Sequence, residues 1–167
     1  MRIFIVGFKS SGKTTFGREL AKRMQMDFID LDEKIEEKFG MSIPELYKRE
    51  GEDSFRKEES RILKELAVTD NIVVSTGGGA ACHSGNMSFM EKCGETVYLK
   101  ADDETLAVRL MKVAHERPVI KGRTREEIND YISEIREKCE HYYMRAKYVL
   151  EEKDLSAENL IDQLRKV

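Results

Sequence analysis

Residues 7–14 read GFKSSGKT and match the pattern G-x-x-x-x-G-K-[ST] at every fixed position. They follow the apolar run RIFIVGF at 2–8, which predicts a buried strand, and they lead into helical spacing at 12–24. A glycine-rich turn between a strand and a helix points successive backbone N–H groups at a polyphosphate. The N-terminus of the helix adds partial positive charge. The stretch therefore predicts a nucleotide-binding α/β fold of the P-loop type.

The loop residues have expected roles in holding a nucleotide. We expect Lys13 to bridge the outer phosphates and the Thr14 hydroxyl to take a place on Mg²⁺. The other loop residues expected to contact the nucleotide are Gly7, Ser10, Ser11, Gly12 and Thr15. Lys9 is interpreted as a solvated side chain, and added charge near the phosphates is the alternative.

Strand and helix patterns alternate along the rest of the chain. Apolar runs at 27–31, 71–75 and 96–100, and a weaker one at 148–150, predict four further strands. Short strands separated by helices favour a parallel sheet covered on both faces. The chain shows no repeat or linker, which predicts one domain over 1–167. A mobile lid is expected at about 112–124, where basic residues mix with proline and glycine.

Composition and charge exclude several classes of protein. Charged residues make up 37% of the chain and the formal net charge is −3, whereas a nucleic-acid binder would carry a basic excess. No apolar run approaches the roughly 20 residues of a membrane span, and no signal peptide is indicated. The three cysteines are far apart, which argues against a disulfide framework or a zinc site and for a reducing compartment. We expect a cytoplasmic monomer without nucleic-acid or membrane partners.

Asp30 and Asp32 stand two residues apart at the end of the second predicted strand. If the strand stays extended, both side chains project from one face at the carboxyl end of the sheet, where open α/β sheets bind ligands. One carboxylate would hold the water shell of Mg²⁺, and the other would orient or deprotonate an acceptor hydroxyl. The alternative for Asp32 is a helix cap. The third strand lacks a terminal aspartate, so we expect the metal to depend on Asp30.

Further candidates bear on substrate binding. Arg56 and Glu59 lie one helical turn apart, either as an exposed ion pair or with Glu59 holding Arg56 to grip a substrate carboxylate. Gly77, Gly78 and Gly79 follow the third strand and favour close approach of a ligand to bare backbone.

Two arginines complete the set of candidates. Arg117, in the expected lid, is placed to stabilise charge on a transferring phosphate, with a solvated surface arginine as the alternative. Arg109 lies on the preceding predicted helix, near enough to stack on a nucleotide base.

Taken together, these motifs resemble the shikimate kinase family along nearly the whole chain. The motifs in order are the phosphate loop at 7–14, D-x-D at 30–32, F-R-x-x-E at 55–59, T-G-G-G at 76–79 and R-P-hydrophobic at 117–119. The resemblance implies a five-stranded parallel sheet, ATP with Mg²⁺, and transfer of the γ-phosphoryl group to the 3-hydroxyl of shikimate. By motif position, Asp30 would serve the metal with Thr14, and Asp32 would act as base. Arg56 would bind the carboxylate, Gly77 to Gly79 would line the acceptor site, and Arg117 would touch both substrates.

One position departs from the family pattern. A further arginine is usual on the late helix, and this chain has Cys139 there, or Lys138 under another alignment of the tyrosines. We hypothesise that Arg136 substitutes for it, or that shikimate binds weakly. A kinase for gluconate or a nucleoside monophosphate, and a nucleotide-binding paralogue with lapsed activity, are the alternatives. The F-R-x-x-E motif and the triple glycine favour shikimate over gluconate.

Overall fold

The computed structural model describes residues 1–114 and 120–166. In these ranges five parallel strands form one sheet in the order β2-β3-β1-β4-β5. The strands are β1 (Arg2–Val6), β2 (Asp27–Asp30), β3 (Ile72–Ser75), β4 (Glu95–Lys100) and β5 (Tyr148–Glu151). The predicted five-stranded parallel α/β sheet is confirmed. Because the chain builds β2 and β3 on one side of β1, and β4 and β5 on the other, a crevice opens at the carboxyl end of β1.

Helices cover both faces of the sheet. They are α1 (Lys13–Met24), α2 (Leu31–Phe39), α3 (Ile43–Glu50), α4 (Glu52–Leu66), α5 (Asn86–Cys93), α6 (Asp103–Lys112), α7 (Arg125–Tyr143) and α8 (Ala157–Arg165). Short 3₁₀ helices span Ala80–Cys82 and Glu152–Asp154. Gly40 and Gly51 end α2 and α3 with φ of 64° and 80°, a region that favours glycine. The sequence patterns did not predict α5, which is eight residues long and has no side-chain cap at its start.

The core follows the alternation of side chains along the strands. On β1, Phe4 and Val6 pack toward the face that carries α4, α5 and α7, while Ile3 and Ile5 pack toward α1 and α8. All four side chains are completely buried. A strand buried on both faces explains why this run reads as continuously apolar.

The segment between α6 and α7 holds the expected lid. Residues 115–119, and with them Arg117, lie outside the described residues, so the role of Arg117 stays a prediction. The next helix begins with a capping box in which Thr124 accepts from the backbone of Glu127 and Glu127 bonds back to Thr124 N. No helix in the described part of the chain is long and apolar enough to cross a membrane.

Candidate active site

The phosphate loop connects β1 to α1 and is shaped by two glycines. Gly7 has φ of 144°, and a Cβ there would lie 2.8 Å from the Leu99 carbonyl oxygen, so the position requires glycine. Gly12 has φ of 93° and immediately precedes the helix. The ammonium of Lys13 is buried and donates to the carbonyl oxygens of Gly7 and Phe8, at 2.9 and 2.7 Å. The loop thus presents a fixed cation beside the first turn of a helix, which is where a phosphate binds.

A cavity of about 370 Å³ lies over this loop. Its lining includes the predicted nucleotide contacts Ser10, Gly12, Lys13, Thr14, Thr15 and Arg109. Ser11, also in the loop, does not line the cavity, and its hydroxyl is buried without a hydrogen-bond partner among the described residues. The guanidinium of Arg109 bonds Glu152 at 3.0 Å and Ser10 O at 3.4 Å, at the edge of the cavity. Apart from Arg117, which lies outside the described residues, the predicted nucleotide contacts therefore lie in and around one cavity.

Asp30 and Thr14 form the candidate magnesium site. The Thr14 hydroxyl donates to Asp30 Oδ2 at 2.6 Å, and Asp30 Oδ1 accepts from the backbone of Asp32 at 3.0 Å and of Glu33 at 3.4 Å. One carboxylate and one hydroxyl fit Mg²⁺, because this ion in phosphoryl-transfer sites keeps several waters and binds phosphate oxygens as well. No group of three or more histidine, cysteine or acidic side chains suited to a metal occurs in the described ranges.

The second strand ends earlier than the sequence suggested. β2 stops at Asp30, which caps α2, and Asp32 belongs to the first turn of that helix. The expectation of an extended strand through both aspartates is therefore wrong, and so is the alternative that Asp32 is the cap. Both side chains still line the cavity over the phosphate loop, because the helix begins at the carboxyl end of the strand.

Asp32 is held in an environment that disfavours its charge. Burial raises the pKa of Asp32, and the neighbouring Asp30 raises it further, while Lys13 and Lys9 act in the opposite direction. Gly77 makes room for this carboxylate, since a Cβ there would lie 2.6 Å from Asp32 Oδ1. A half-buried carboxylate with a raised pKa, facing a phosphate loop, is suited to accept a proton from a hydroxyl.

A second cavity of about 520 Å³ adjoins the first, and we call it the acceptor cavity. Lys9 and Gly78 line both cavities. Arg56 lies in its wall and bonds Glu59 at 2.7 Å, and the Glu59 side chain is 1% exposed. Burial lowers the pKa of Arg56, but the Glu59 carboxylate more than offsets this and raises it above its usual value. This ion pair is therefore buried, against the alternative of an exposed pair.

Arg56 is oriented by Glu59 and by Gly79. A Cβ at Gly79 would lie 2.4 Å from Arg56 Nη2, so the guanidinium packs directly on the glycine backbone. Arg56 Nε is buried without a hydrogen-bond partner among the described residues, and the Glu52 carboxylate lies 3.8 Å from it. The partly exposed guanidinium lines the acceptor cavity, so the N–H groups that face the cavity can bind an acidic ligand.

Arg136 does not take the place of the missing arginine, contrary to what the sequence hypothesis proposed. Its guanidinium bonds Asp103, Glu140 at 2.8 Å and the carbonyl oxygen of Ala101. It does not line the acceptor cavity, whose α7 wall includes Lys138 and Cys139. The structure does not bring Arg136 together with Arg56, because carboxylates on α6 and α7 and the end of β4 hold its side chain.

The cysteine spacing argued against a disulfide framework, but the structure pairs two of the three cysteines. Cys82 and Cys139 are bonded, with their Cα atoms 5.5 Å apart, and Cys93 remains a free thiol. The two are 57 residues apart in sequence, but the 3₁₀ helix Ala80–Cys82 packs against α7. Sequence reasoning also missed the bond that Tyr143 donates to the carbonyl oxygen of Gly78. In the sequence, the closeness of Cys82 to the three glycines is the only feature that indicates either the disulfide or this hydrogen bond.

Comparisons with known proteins agree with this geometry. The family model described as shikimate kinase matches residues 9–167. A shikimate kinase of Parabacteroides distasonis is 42% identical over 158 residues, covering 95% of this chain and 91% of that relative. The crystal structure of shikimate kinase from Bacteroides thetaiotaomicron superposes with a TM-score of 0.91 at 37% identity, covering 99% of this chain and 97% of that one.

A second solved structure that resembles this chain contains a bound ligand. Shikimate kinase from Acinetobacter baumannii, solved in complex with shikimate, gives a TM-score of 0.81 at 32% identity over 99% of this chain and 90% of that one. The family model and these relatives extend over nearly the whole length of the chain. The chain therefore belongs to the shikimate kinase family.

Proposed function

We propose that this protein transfers the γ-phosphoryl group of ATP to the 3-hydroxyl of shikimate. The observation that carries the proposal is the pair of adjoining cavities, one over the phosphate loop and one walled by Arg56, with Asp32 between the loop and Gly77. Family membership supports the same reaction. A donor site and an acceptor site that share a wall are what direct transfer between two small molecules requires.

On the donor side, the chain supplies charge and backbone donors. Lys13 and the loop amides would bind the β- and γ-phosphates, and Arg109 lies at the cavity edge where the nucleoside would extend. Thr14 and Asp30 would hold Mg²⁺, which neutralises charge on the phosphate oxygens. We include Arg117 here as a further cation for the transferring group, on the sequence motif alone.

On the acceptor side, two groups with opposite charge orient the substrate. Arg56, backed by Glu59, would bind the shikimate carboxylate through two parallel hydrogen bonds. Asp32 would accept the proton of the 3-hydroxyl as the new P–O bond forms. The raised pKa of Asp32 makes its carboxylate a stronger base than an exposed aspartate. Because phosphoryl transfer needs little covalent help, this positioning accounts for most of the catalysis.

We further propose that the chain works as a single domain and a monomer in the cytoplasm. The interspersed charges and the net charge of −3 support a protein that binds small molecules and neither nucleic acid nor membrane.

Release of ADP from ATP and Mg²⁺, measured with and without shikimate, tests the proposal. We expect shikimate to stimulate release and to be recovered as its 3-phosphate. Stimulation by gluconate or a nucleoside monophosphate instead would assign another acceptor. No stimulation by any of them, together with normal ATP binding, would identify a nucleotide-binding protein without kinase activity.

A further inference from the structure

Two cysteines face each other in the wall of the acceptor cavity. Cys82 ends the 3₁₀ helix that follows the three glycines, and Cys139 lies on α7. Their Cα separation of 5.5 Å is in the range where a disulfide forms without movement of the backbone. Cys139 is buried, whereas Cys82 is half-buried. A reagent in the cavity therefore reaches the bond from the side of Cys82.

The disulfide and one hydrogen bond both connect α7 to the glycine segment and the 3₁₀ helix that follows it. One turn after Cys139, Tyr143 donates its hydroxyl to the carbonyl oxygen of Gly78. On the other side of the bond, the backbone N–H of Cys82 donates to Gly79 O at 3.1 Å. Gly79 is the residue on which the Arg56 guanidinium packs. The disulfide thus restrains the backbone that positions Arg56, the residue proposed to bind the substrate carboxylate.

We infer that Cys82 and Cys139 form a reversible dithiol–disulfide site whose oxidised state holds the acceptor cavity ready for shikimate. The inference rests on the proposed function for its ligand. With the bond closed, the disulfide and the Tyr143 hydrogen bond both hold the glycine segment to α7. Shikimate binding then costs less conformational entropy. With the bond open, the segment keeps the Tyr143 hydrogen bond but loses its covalent link to α7, so the substrate has to order it further. The cysteines are positioning residues, since they act through the backbone of Gly79.

The chemistry is thiol–disulfide exchange with a small-molecule disulfide as oxidant. The thiolate of the more accessible Cys82 attacks one sulfur of that disulfide, which forms a mixed disulfide and releases one small thiol. The Cys139 thiolate then attacks the Cys82 sulfur and displaces the second small thiol. Two electrons and two protons pass from the protein to the reagent. Dithiothreitol reverses the sequence, and its own two sulfurs become a cyclic disulfide.

The test compares the full-length enzyme after treatment with oxidised glutathione or with dithiothreitol, each followed by removal of the reagent. Thiols counted after unfolding should number one in the oxidised enzyme, from Cys93, and all three in the reduced enzyme. We expect reduction to raise the KM for shikimate about threefold to tenfold. The KM for ATP, which binds over the phosphate loop, and kcat should stay within about twofold.

Matched variants separate the pair from general effects of redox reagents. Cys82→Ser removes the accessible thiol and should keep the shikimate KM of the reduced enzyme after either treatment, whereas Cys93→Ser should respond as the wild type does. Three thiols after oxidation, or equal shikimate KM values in the two wild-type states, would overturn the inference. The thiol count does not depend on activity. A protein that pairs its cysteines but phosphorylates no shikimate in either state would contradict the proposed function only.

Discussion

Adding one methyl group at Gly79 tests whether Arg56 binds the acceptor carboxylate. Gly79 has φ of −94°, so alanine is compatible with the backbone. Its Cβ would lie 2.4 Å from Arg56 Nη2 and 2.8 Å from Cζ. The guanidinium would have to withdraw by about 1 Å to restore ordinary contact, a displacement that is enough to disable a positioned group.

The expected loss follows from the contact that Arg56 would make. A hydrogen bond to a charged group contributes about 1.5–3 kcal/mol, so Gly79→Ala should raise the KM for shikimate about 10- to 100-fold. The KM for ATP should change little, since Gly79 does not line the cavity over the phosphate loop. Steady-state kinetics with each substrate varied in turn measure both values. Gly85→Ala is a control for an added methyl group that touches no other residue, since a Cβ there meets nothing within 4 Å, and its φ of 68° should cost stability only.

A double-mutant cycle identifies Arg56 as the route of the effect. In an Arg56→Lys background the guanidinium is gone, so Gly79→Ala should add less than about twofold to the shikimate KM. The reasoning is refuted if Gly79→Ala leaves the wild-type shikimate KM within about twofold, or if it costs as much in the Arg56→Lys background. Thermal unfolding of each variant checks that the comparison is between folded enzymes.

Substitutions at four other positions have distinct expected results. Gly77→Ala pushes on Asp32 and should lower kcat about 100-fold with a smaller change in KM; a pure KM effect in steady-state kinetics would contradict the role of Asp32. Lys13→Ala should lower kcat by at least about 100-fold with an unchanged circular dichroism spectrum. Asp30→Asn keeps the helix cap and should raise the Mg²⁺ concentration for half-maximal rate about tenfold, whereas Asp30→Ala should also lose about 1 kcal/mol of stability in denaturant unfolding. Arg136→Ala should lower the melting temperature but leave the shikimate KM within about twofold; a larger KM change would restore its predicted role.

The donor side of the site could be predicted from the sequence because it is local. The stretch at 7–14 contains its own strand end, turn and helix start, so the pattern alone specifies where Lys13 and Thr14 lie. Asp30 and Asp32 were found for the same reason. The pattern did not predict which of the two is the helix cap, because helix α2 begins at Leu31 and only the backbone shows this.

The α7 side of the acceptor cavity could not be predicted, because it is made by segments far apart in the chain. Arg136 and Cys139 lie one turn apart on α7, and the sequence does not say which of them faces the cavity. Asp103, at the start of α6, and Ala101, just after β4, decide it by binding the guanidinium. Cys82 reaches Cys139 only because its 3₁₀ helix packs on the same turn of α7. Neither contact leaves a periodic signal.

The contacts on the α7 side affect how the acceptor cavity recognises a carboxylate. Of the lysines and arginines that line it, Lys9 and Lys138 are exposed, and Lys138 also bonds Glu134 at 2.6 Å. Exposed charges are screened by water and salt and contribute at most about 1 kcal/mol each. Arg56 differs, because its side chain is only 16% exposed and Glu59 holds its guanidinium in place. With Cys139 in a disulfide and Arg136 turned to α6, Arg56 is the main source of affinity for the carboxylate among the residues that the structure describes. That dependence is the reason a single methyl group at Gly79 should be felt so strongly by shikimate and so little by ATP.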